Sequence, residues 1–207
     1  YSKIDALKYY RKTFWESRNY NNIYSNIVIN ELTNQVLTNP VRNFNNFSST
    51  IGLSKKINNF NRVLLNYSIA SRAPNPSELF SEGLHHSSAR IELGDLNFSA
   101  EKSHKVGLTV SHKKNNFSII INPYINSIND FIYINPTEIE QTVRGSFQVW
   151  EYMQTNARIW GIDTDINYDF TEKFTLKYQL SFFKGIDKIN KRQLINMPPL
   201  NFKNEIS

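Results

Sequence analysis

The sequence predicts an all-β fold, an antiparallel transmembrane β-barrel segment, from three observations. Apolar and polar residues alternate with period two in segment after segment, as they do when successive strand residues face opposite sides of a sheet. Short and long connections alternate along the chain, and aromatic residues flank the short ones. Short turns at one end and long loops at the other are typical of a barrel wall in an outer membrane, whereas a soluble sandwich has no reason to sort its loops this way.

Composition excludes several other classes of protein. The chain has 207 residues, 14% of them aromatic, and contains no cysteine. The absence of cysteine excludes disulfide scaffolds, Cys-ligated zinc and thiol catalysis, and it is compatible with an oxidising envelope compartment. The sequence has no run of about 18 apolar residues, so we expect any membrane crossing to use strands.

The net charge of +6 raises the alternative of nucleic-acid binding. The basic residues are scattered in pairs such as Lys55-Lys56 and Lys113-Lys114, and the sequence shows neither a basic helix nor an RNA-binding aromatic signature. We therefore predict no nucleic-acid partner.

Residues 158–170 show the alternation most clearly. One face of the predicted strand, mostly apolar, carries Trp160, Ile162, Thr164, Ile166, Tyr168 and Phe170. Acidic side chains, including Asp163 and Asp165, occupy positions between them. After a short turn at residues 171–173 the alternation restarts at Phe174, and two such strands joined by a tight turn predict a hairpin. We expect the apolar face to meet lipid and the polar face to line a hydrated interior.

The same alternation gives the other strands. One apolar face consists of Val63, Leu65, Tyr67 and Ile69, and the next of Val106, Leu108 and Val110. We predict about eight strands. They are centred near residues 4–12, 44–57, 62–73, 101–114, 117–134, 151–170, 174–186 and 201–207. The short connections lie near 58–61, 115–116 and 171–173, and the long ones near 15–42, 75–99, 138–150 and 188–199.

Aromatic residues near the short turns predict a girdle at a lipid–water interface. These residues are Phe60, Phe117, Tyr168, Phe170 and Phe174. The alternative is that aromatic residues are simply common in strands. His104 and His112 lie at either end of an apolar stretch, so we interpret them as interface residues as well.

Residues 66–107 carry two sequence boxes separated by a loop. An aromatic-rich strand ends in Arg72-Ala73-Pro74 and is followed by Glu78-Leu79-Phe80, then by a stretch from Gly94 to Glu101. Together these boxes resemble those of a TonB-dependent outer-membrane receptor, with Asp95 standing where that family usually has Asn. Met197-Pro198-Pro199, before the last strand, is also similar to the family.

The first box also has a direct physical interpretation. Pro74 and Pro76 cannot donate ladder hydrogen bonds, so they end the strand and direct the chain into a loop. The guanidinium of Arg72 is expected to pair with a carboxylate, either Glu78 or Glu101, and to order that loop.

The resemblance implies a larger assembly. Such receptors are barrels of about 22 strands, filled by a plug domain that contacts a TonB-type energy transducer. We expect residues 1–207 to be part of the barrel domain, with the plug and the C-terminal strands absent, because the last segment is shorter than the roughly 9–11 residues of a membrane strand. The resemblance also implies a multi-pass location in the bacterial outer membrane, contact with its lipid, and no cofactor of the protein's own.

The same resemblance implies active uptake of a metal chelate, such as a ferric siderophore or haem. His85 and His86 lie in the long loop, and imidazole is a common ligand of transition metals and haem iron, so they are candidate metal contacts. Arg90 and Phe80 are candidate contacts for an anionic chelate. The alternative is a His pair that only hydrogen-bonds its neighbours. A small passive or structural barrel, porin-like or OmpA-like, is the alternative function.

The remaining motifs do not predict chemistry. Asp163, Asp165, Asn167 and Asp169 resemble the start of a calcium loop, but Tyr168 and Phe174 stand where that loop requires Gly and Glu. The sequence contains no GxSxG, no HExxH and no phosphate-binding Gly loop. We therefore predict that the protein is not an enzyme.

Overall fold

The computed structural model describes residues 1–5, 9–12, 28–32, 35–38 and 41–206. Its strands are β1 (Ser2–Asp5), β2 (Tyr9–Lys12), β3 (Val28–Leu32), β4 (Gln35–Thr38), β5 (Val41–Phe44), β6 (Ser48–Lys56), β7 (Asn61–Arg72), β8 (Glu82–His85), β9 (Arg90–Leu93), β10 (Glu101–Lys114), β11 (Phe117–Thr142), β12 (Gly145–Thr171), β13 (Phe174–Asp187), β14 (Arg192–Gln193) and β15 (Asn201–Ile206). A single described helix, α1 (Pro76–Phe80), follows β7. None of the described helical residues forms a helix long and apolar enough to cross a membrane.

The chain divides into two compact units. The loop unit comprises Tyr1–Asn46, Ala73–Ala100 and Tyr133–Met153. The sheet unit comprises Phe47–Arg72, Glu101–Ile132 and Gln154–Ser207. The first therefore holds the long connection after β7, and the second holds the strands with the clearest period-two pattern.

The sheet unit is an antiparallel meander. Its strands lie in the order β6-β7-β10-β11-β12-β13, and both β14 and β15 pair with β13. Each strand thus lies beside its predecessor in the sheet, as in an up-and-down barrel wall. The predicted all-β antiparallel fold is confirmed, and the wall is open because this part of the chain does not close on itself.

The register brings the apolar positions of neighbouring strands onto one face, the apolar face. Leu65 pairs with Leu53 of β6 and with Leu108 of β10, and Ile162 pairs with Phe182. Large side chains on this face are exposed, with Leu53 at 71% and Leu65 at 47% of full exposure. The apolar face therefore does not pack into a closed soluble core.

The opposite, polar face is joined by side-chain hydrogen bonds between strands. Ser103 donates to Asn126 at 2.7 Å and Thr109 donates to Asn122 at 2.7 Å. Ser181 donates to Asp163 at 2.6 Å. Asp163 is therefore a strand residue that accepts a cross-strand hydrogen bond.

Short turns connect the meander at one end. β6 and β7 are joined by residues 57–60, and β10 and β11 by Asn115-Asn116, where Asn115 has φ +52°. Asn tolerates this left-handed conformation better than most residues. Three of the five predicted girdle residues meet near these turns, since the rings of Phe117 and Tyr168 lie 6.5 Å apart and those of Tyr168 and Phe170 lie 4.6 Å apart.

The two histidines interpreted as interface residues are both tied to neighbouring strands. His104 Nδ1 lies 3.0 Å from the Tyr67 hydroxyl, and the two rings stack at 6.4 Å. His112 Nδ1 lies 2.7 Å from Asn61 Oδ1. Each imidazole therefore has a polar partner on β7.

Two sequence-based boundaries are wrong. The connection near 138–150 is not a long loop, because β11 continues to Thr142 and β12 begins at Gly145. The two strands are joined by Val143-Arg144, and Gly145 has φ +123°, a value that favours glycine. At the start of β12 the pairing with β9 and the burial of Val149 add to the pairing with β11.

The second error concerns the first predicted strand, residues 4–12. Ser2–Asp5 pairs with β5, whereas Tyr9–Lys12 pairs with β4 in a separate three-stranded sheet with β3, and residues 6–8 lie outside the described part. Most of the predicted long connection near 15–42 also lies outside it. The described pieces of that connection are short strands, which local alternation is too brief to identify.

Candidate functional site

Arg72, the last residue of β7, pairs with Glu101, the first residue of β10. Arg72 Nε donates to Glu101 Oε2 at 2.8 Å. The other oxygen, Glu101 Oε1, accepts the backbone N–H of Ile132 at 2.7 Å. Glu101 therefore links three strands where β7 leaves the sheet, and of the two carboxylates predicted for Arg72 this ion pair involves Glu101.

Glu78 has a different role, at the start of α1. Its Oε2 accepts the backbone N–H of Asn75 at 2.7 Å, which is one half of a capping box. Ala73 and Pro74 connect β7 to this cap, and Pro76 occupies the first turn, where a missing N–H is tolerated. The box residues after Arg72 thus build the turn that starts the loop.

Gly94 closes the loop against the same turn. Its N–H donates to Ser81 O at 2.7 Å, and a Cβ at this position would lie 2.7 Å from the backbone of Glu78 and Leu79. Only glycine permits that approach. Leu79 is 2% exposed. The two sequence boxes therefore meet in the structure, which explains why these residue types occur together.

The middle of the loop is a hairpin docked on a long strand. β8 pairs with β9 antiparallel, and β9 pairs with residues 148–151 of β12 in parallel. Ile91 and Val149 are fully buried between them, with Leu84, Leu93 and Phe147 packed around. The loop is therefore a small packed layer with its own core.

Arg90 lies over an aromatic ring on this layer. Its guanidinium carbon is 4.9 Å from the centre of the Trp150 ring, and its NH2 group is 2.7 Å from Glu92 Oε1. Glu92 is 7% exposed. A buried carboxylate thus fixes Arg90 flat against Trp150, in a cation–π arrangement.

Tyr152 lies beside this pair in the loop unit. Burial raises the pKa of Tyr152, and the Glu92 carboxylate raises it further because both disfavour phenolate, while a hydrogen bond with Ser77 and the charge of Arg90 oppose the rise. The hydroxyl therefore stays protonated at neutral pH and can donate a hydrogen bond.

His85 and His86 lie at the tip of the hairpin. Both side chains are exposed. His85 Nδ1 lies 3.1 Å from Ser87 Oγ and 3.4 Å from Ser88 Oγ. In the described part of the chain no three or more His, Asp and Glu side chains gather in a way that could hold a metal ion. Any metal contact here would therefore be with a metal that brings other ligands.

The structure brings some predicted residues together and leaves others apart. His85 and Arg90 are cross-strand partners in the hairpin, and Phe80 ends α1, partly buried. Sequence reasoning missed Trp150, because it placed residues 138–150 in a loop, and it assigned no role to Tyr152 or Glu92. An aromatic residue at every second position, Trp150 and Tyr152, was the signal that could have identified them.

The meander order and the polarity of the two faces define the class of protein: one wall of a β-barrel. A family model described as "TonB dependent receptor-like, beta-barrel" matches residues 10–206. The chain belongs to this family, the TonB-dependent receptors. Its members are outer-membrane β-barrels that act as receptors and transporters rather than enzymes.

Several solved structures are similar in fold. The copper transporter OprC has a TM-score of 0.67 and 18% identity, covering 82% of this chain and 25% of OprC. The siderophore receptor PirA from Pseudomonas aeruginosa has a TM-score of 0.53 and 16% identity, covering 72% of this chain and 28% of PirA. A variant of the ferric enterobactin receptor PfeA from the same organism has a TM-score of 0.57 and 13% identity, covering 82% of this chain and 25% of PfeA.

At these identities the likeness establishes the fold. The chain spans about a quarter of the length of the solved structures it matches. No curated protein matches it in sequence.

Proposed function

We propose that this chain is part of an outer-membrane receptor that takes up a metal chelate, with the docked hairpin of the loop unit as part of its cargo surface. Family membership supports the transport class. The solved structures with a similar fold include a copper transporter and two siderophore receptors. The observation that carries the assignment of the surface is the pair of exposed imidazoles on a hairpin fixed to β12.

The membrane placement follows from the two faces of the sheet unit. The exposed apolar face meets lipid, and the polar face lines the interior. The short turns of the sheet unit, with their aromatic rings, lie at the periplasmic interface. Coupling to a TonB-type energy transducer runs through a plug domain outside residues 1–207.

The charges of the hairpin favour a cargo that presents its metal. Glu92 Oε1 lies 2.7 Å from the Arg90 NH2 group and neutralises its charge. This pair therefore attracts anionic chelates only weakly. His85 and His86 are exposed at the tip, and the group 3.1 Å from His85 Nδ1 is the neutral Ser87 hydroxyl. Haem iron or a partly coordinated copper or zinc chelate therefore suits the surface better than a fully saturated ferric siderophore.

The test is a double variant of the intact receptor, His85→Ala with His86→Ala. We expect at least a tenfold weaker affinity for the preferred cargo, the effect of roughly 1.4 kcal/mol. Calorimetric titration with haem, a copper chelate and a ferric siderophore measures this.

The matched control is Ser87→Ala with Ser88→Ala, in the same turn. These changes remove the hydroxyls near His85 but leave both imidazoles, so affinity should be retained. Unchanged binding of all three cargoes by the His double variant would show that the pair is only loop structure.

A further inference from the structure

The structure brings together basic residues that are far apart in the sequence. The turn between β6 and β7 carries Lys55, Lys56 and Arg62, and the neighbouring turn carries Lys113 and Lys114. The two turns touch: the Lys113 N–H donates to Phe60 O at 2.8 Å, and Lys114 Nζ lies 5.2 Å from the centre of the Phe60 ring. These five cations, the basic cluster, are all exposed.

The turn end of these strands has no carboxylate to balance the cluster, since Glu101 lies at the far end of β10 and pairs with Arg72. Residues 46–77 and 102–129 contain neither Asp nor Glu, and no ion pair among the described residues involves any of the five cations. The nearest acids in the sheet order are on the next turn. There Asp169 accepts a hydrogen bond from Thr175 at 2.7 Å, and Glu172 lies beside Lys173.

The register places like charges opposite one another. Lys56 and Arg62 are direct cross-strand partners, and Arg62 is opposite Ser111, two residues before Lys113 on the same face. Like charges in such positions repel and destabilise the sheet. These three cations lie on the polar face, whereas Lys55 and Lys114 have the parity of Leu53 and Val110 on the apolar face. An anion bound at this turn end would reduce the repulsion, and Lys55 and Lys114 extend from the apolar face to meet it, so the arrangement is suited to an anionic partner.

The surroundings decide which anion. Exposed apolar side chains of the same strands continue directly from the cluster, including Leu53 at 71%, Phe60 at 43% and Val110 at 39% exposure. An acidic peptide would account for the cations but not for this apolar face. An anionic lipid accounts for both, because lysine and arginine reach headgroups while their strands stay in contact with the acyl chains.

We propose that the basic cluster binds the phosphate groups of anionic phospholipids at the short-turn end of the barrel wall. This rests on the membrane placement proposed above. Two aromatic residues adjoin the cluster, since Phe60 O accepts the Lys113 N–H and Phe117 is the cross-strand partner of Lys114. Aromatic residues are expected where headgroups begin. The cluster thereby fixes the depth of this part of the wall in the lipid leaflet.

The experiment uses the intact receptor in detergent, titrated with phosphatidylglycerol or phosphatidylcholine, with retained lipids counted by native mass spectrometry. The unmodified receptor should prefer phosphatidylglycerol, and the preference should weaken as salt screens the charges. A triple variant, Lys55→Gln, Lys113→Gln and Lys114→Gln, should lose at least about tenfold in that preference, since each cation near an anionic surface contributes roughly fivefold.

The control, Lys184→Gln, Lys188→Gln and Lys191→Gln, changes the net charge equally at the other end of the sheet unit and should keep the preference. An equal loss in both variants, or no preference in the unmodified receptor, overturns the proposal. The proposal is also overturned if the triple variant keeps the lipid preference but loses binding to a hexaglutamate probe. That result would identify an acidic protein segment as the partner.

Cargo titration of the same samples separates the two proposals. A receptor that binds its metal chelate but shows no lipid preference contradicts the basic cluster alone. A receptor that shows the lipid preference but binds none of the tested chelates contradicts the proposed function and leaves the cluster standing.

Discussion

At the scale of single residues, Glu101 has the most connected position in the sheet unit. Its Oε2 accepts a hydrogen bond from Arg72 Nε, and its Oε1 accepts one from the backbone N–H of Ile132. The second contact lies two residues after Asp130, which has φ +56° within β11. A carboxylate with two acceptor oxygens can satisfy both groups at once, which no shorter or uncharged side chain does equally well.

Replacing Glu101 tests this role. Glu101→Ala leaves the Ile132 N–H without its acceptor and should lower the free energy of unfolding by about 1.5–3 kcal/mol. Glu101→Gln keeps an acceptor oxygen and loses only the ion pair with Arg72, whose side chain is 41% exposed, so its effect should be smaller. Urea unfolding of the intact receptor, followed by tryptophan fluorescence, measures both. Equal losses would show that the backbone contact contributes nothing.

At the scale of elements, the hairpin of β8 and β9 is held by the side chains between it and β12. Its pairing with β12 is parallel and only four residues long, so backbone hydrogen bonds alone would hold it weakly. The buried pair Ile91 and Val149 supplies the rest. A packed core under the loop keeps the exposed tip in a defined position for a ligand.

Ile91→Ala should therefore loosen the hairpin without unfolding the barrel. Removing a fully buried isoleucine side chain costs about 2–5 kcal/mol, so hydrogen exchange in residues 82–93 should accelerate strongly. The control is Ile139→Ala in the same unit, because Ile139 is 70% exposed and its loss should leave exchange unchanged. Equal protection in both variants would mean that Ile91 does not hold the hairpin.

At the scale of the whole molecule, the meander has two edges. Among the described strands β6 pairs only with β7, and β15 pairs only with β13. Unpaired N–H and C=O groups in lipid cost several kcal/mol each. Further strands are needed to satisfy these edges in a membrane.

We expect the 207-residue chain expressed alone not to close into a stable barrel. Electrophoresis of unheated and heated samples after refolding in detergent should show one mobility. A shift on heating, the usual sign of a closed barrel, would contradict this, and the intact receptor is the control that should show the shift.

The sequence by itself determined the local features of the wall. Period-two alternation depends only on neighbouring residues, so β6, β7, β10, β13 and most of β11 and β12, with the polarity of their faces, could be predicted. The strand-ending role of Pro74 and the short turns could be predicted for the same reason. The family boxes between Arg72 and Glu101 indicated the class of receptor.

Tertiary structure alone decided which distant residues meet. Arg72 pairs with Glu101, β9 pairs with β12, and Lys55-Lys56 lies beside Lys113-Lys114, all through strand register and chain reversal that alternation does not specify. Pairing between strands also explains why β11 continues beyond residue 133 and why β12 begins at Gly145. Local alternation did not predict these parts of the two strands. Contacts between residues distant in sequence are set by packing of the whole sheet, and that is why local pattern could not predict them.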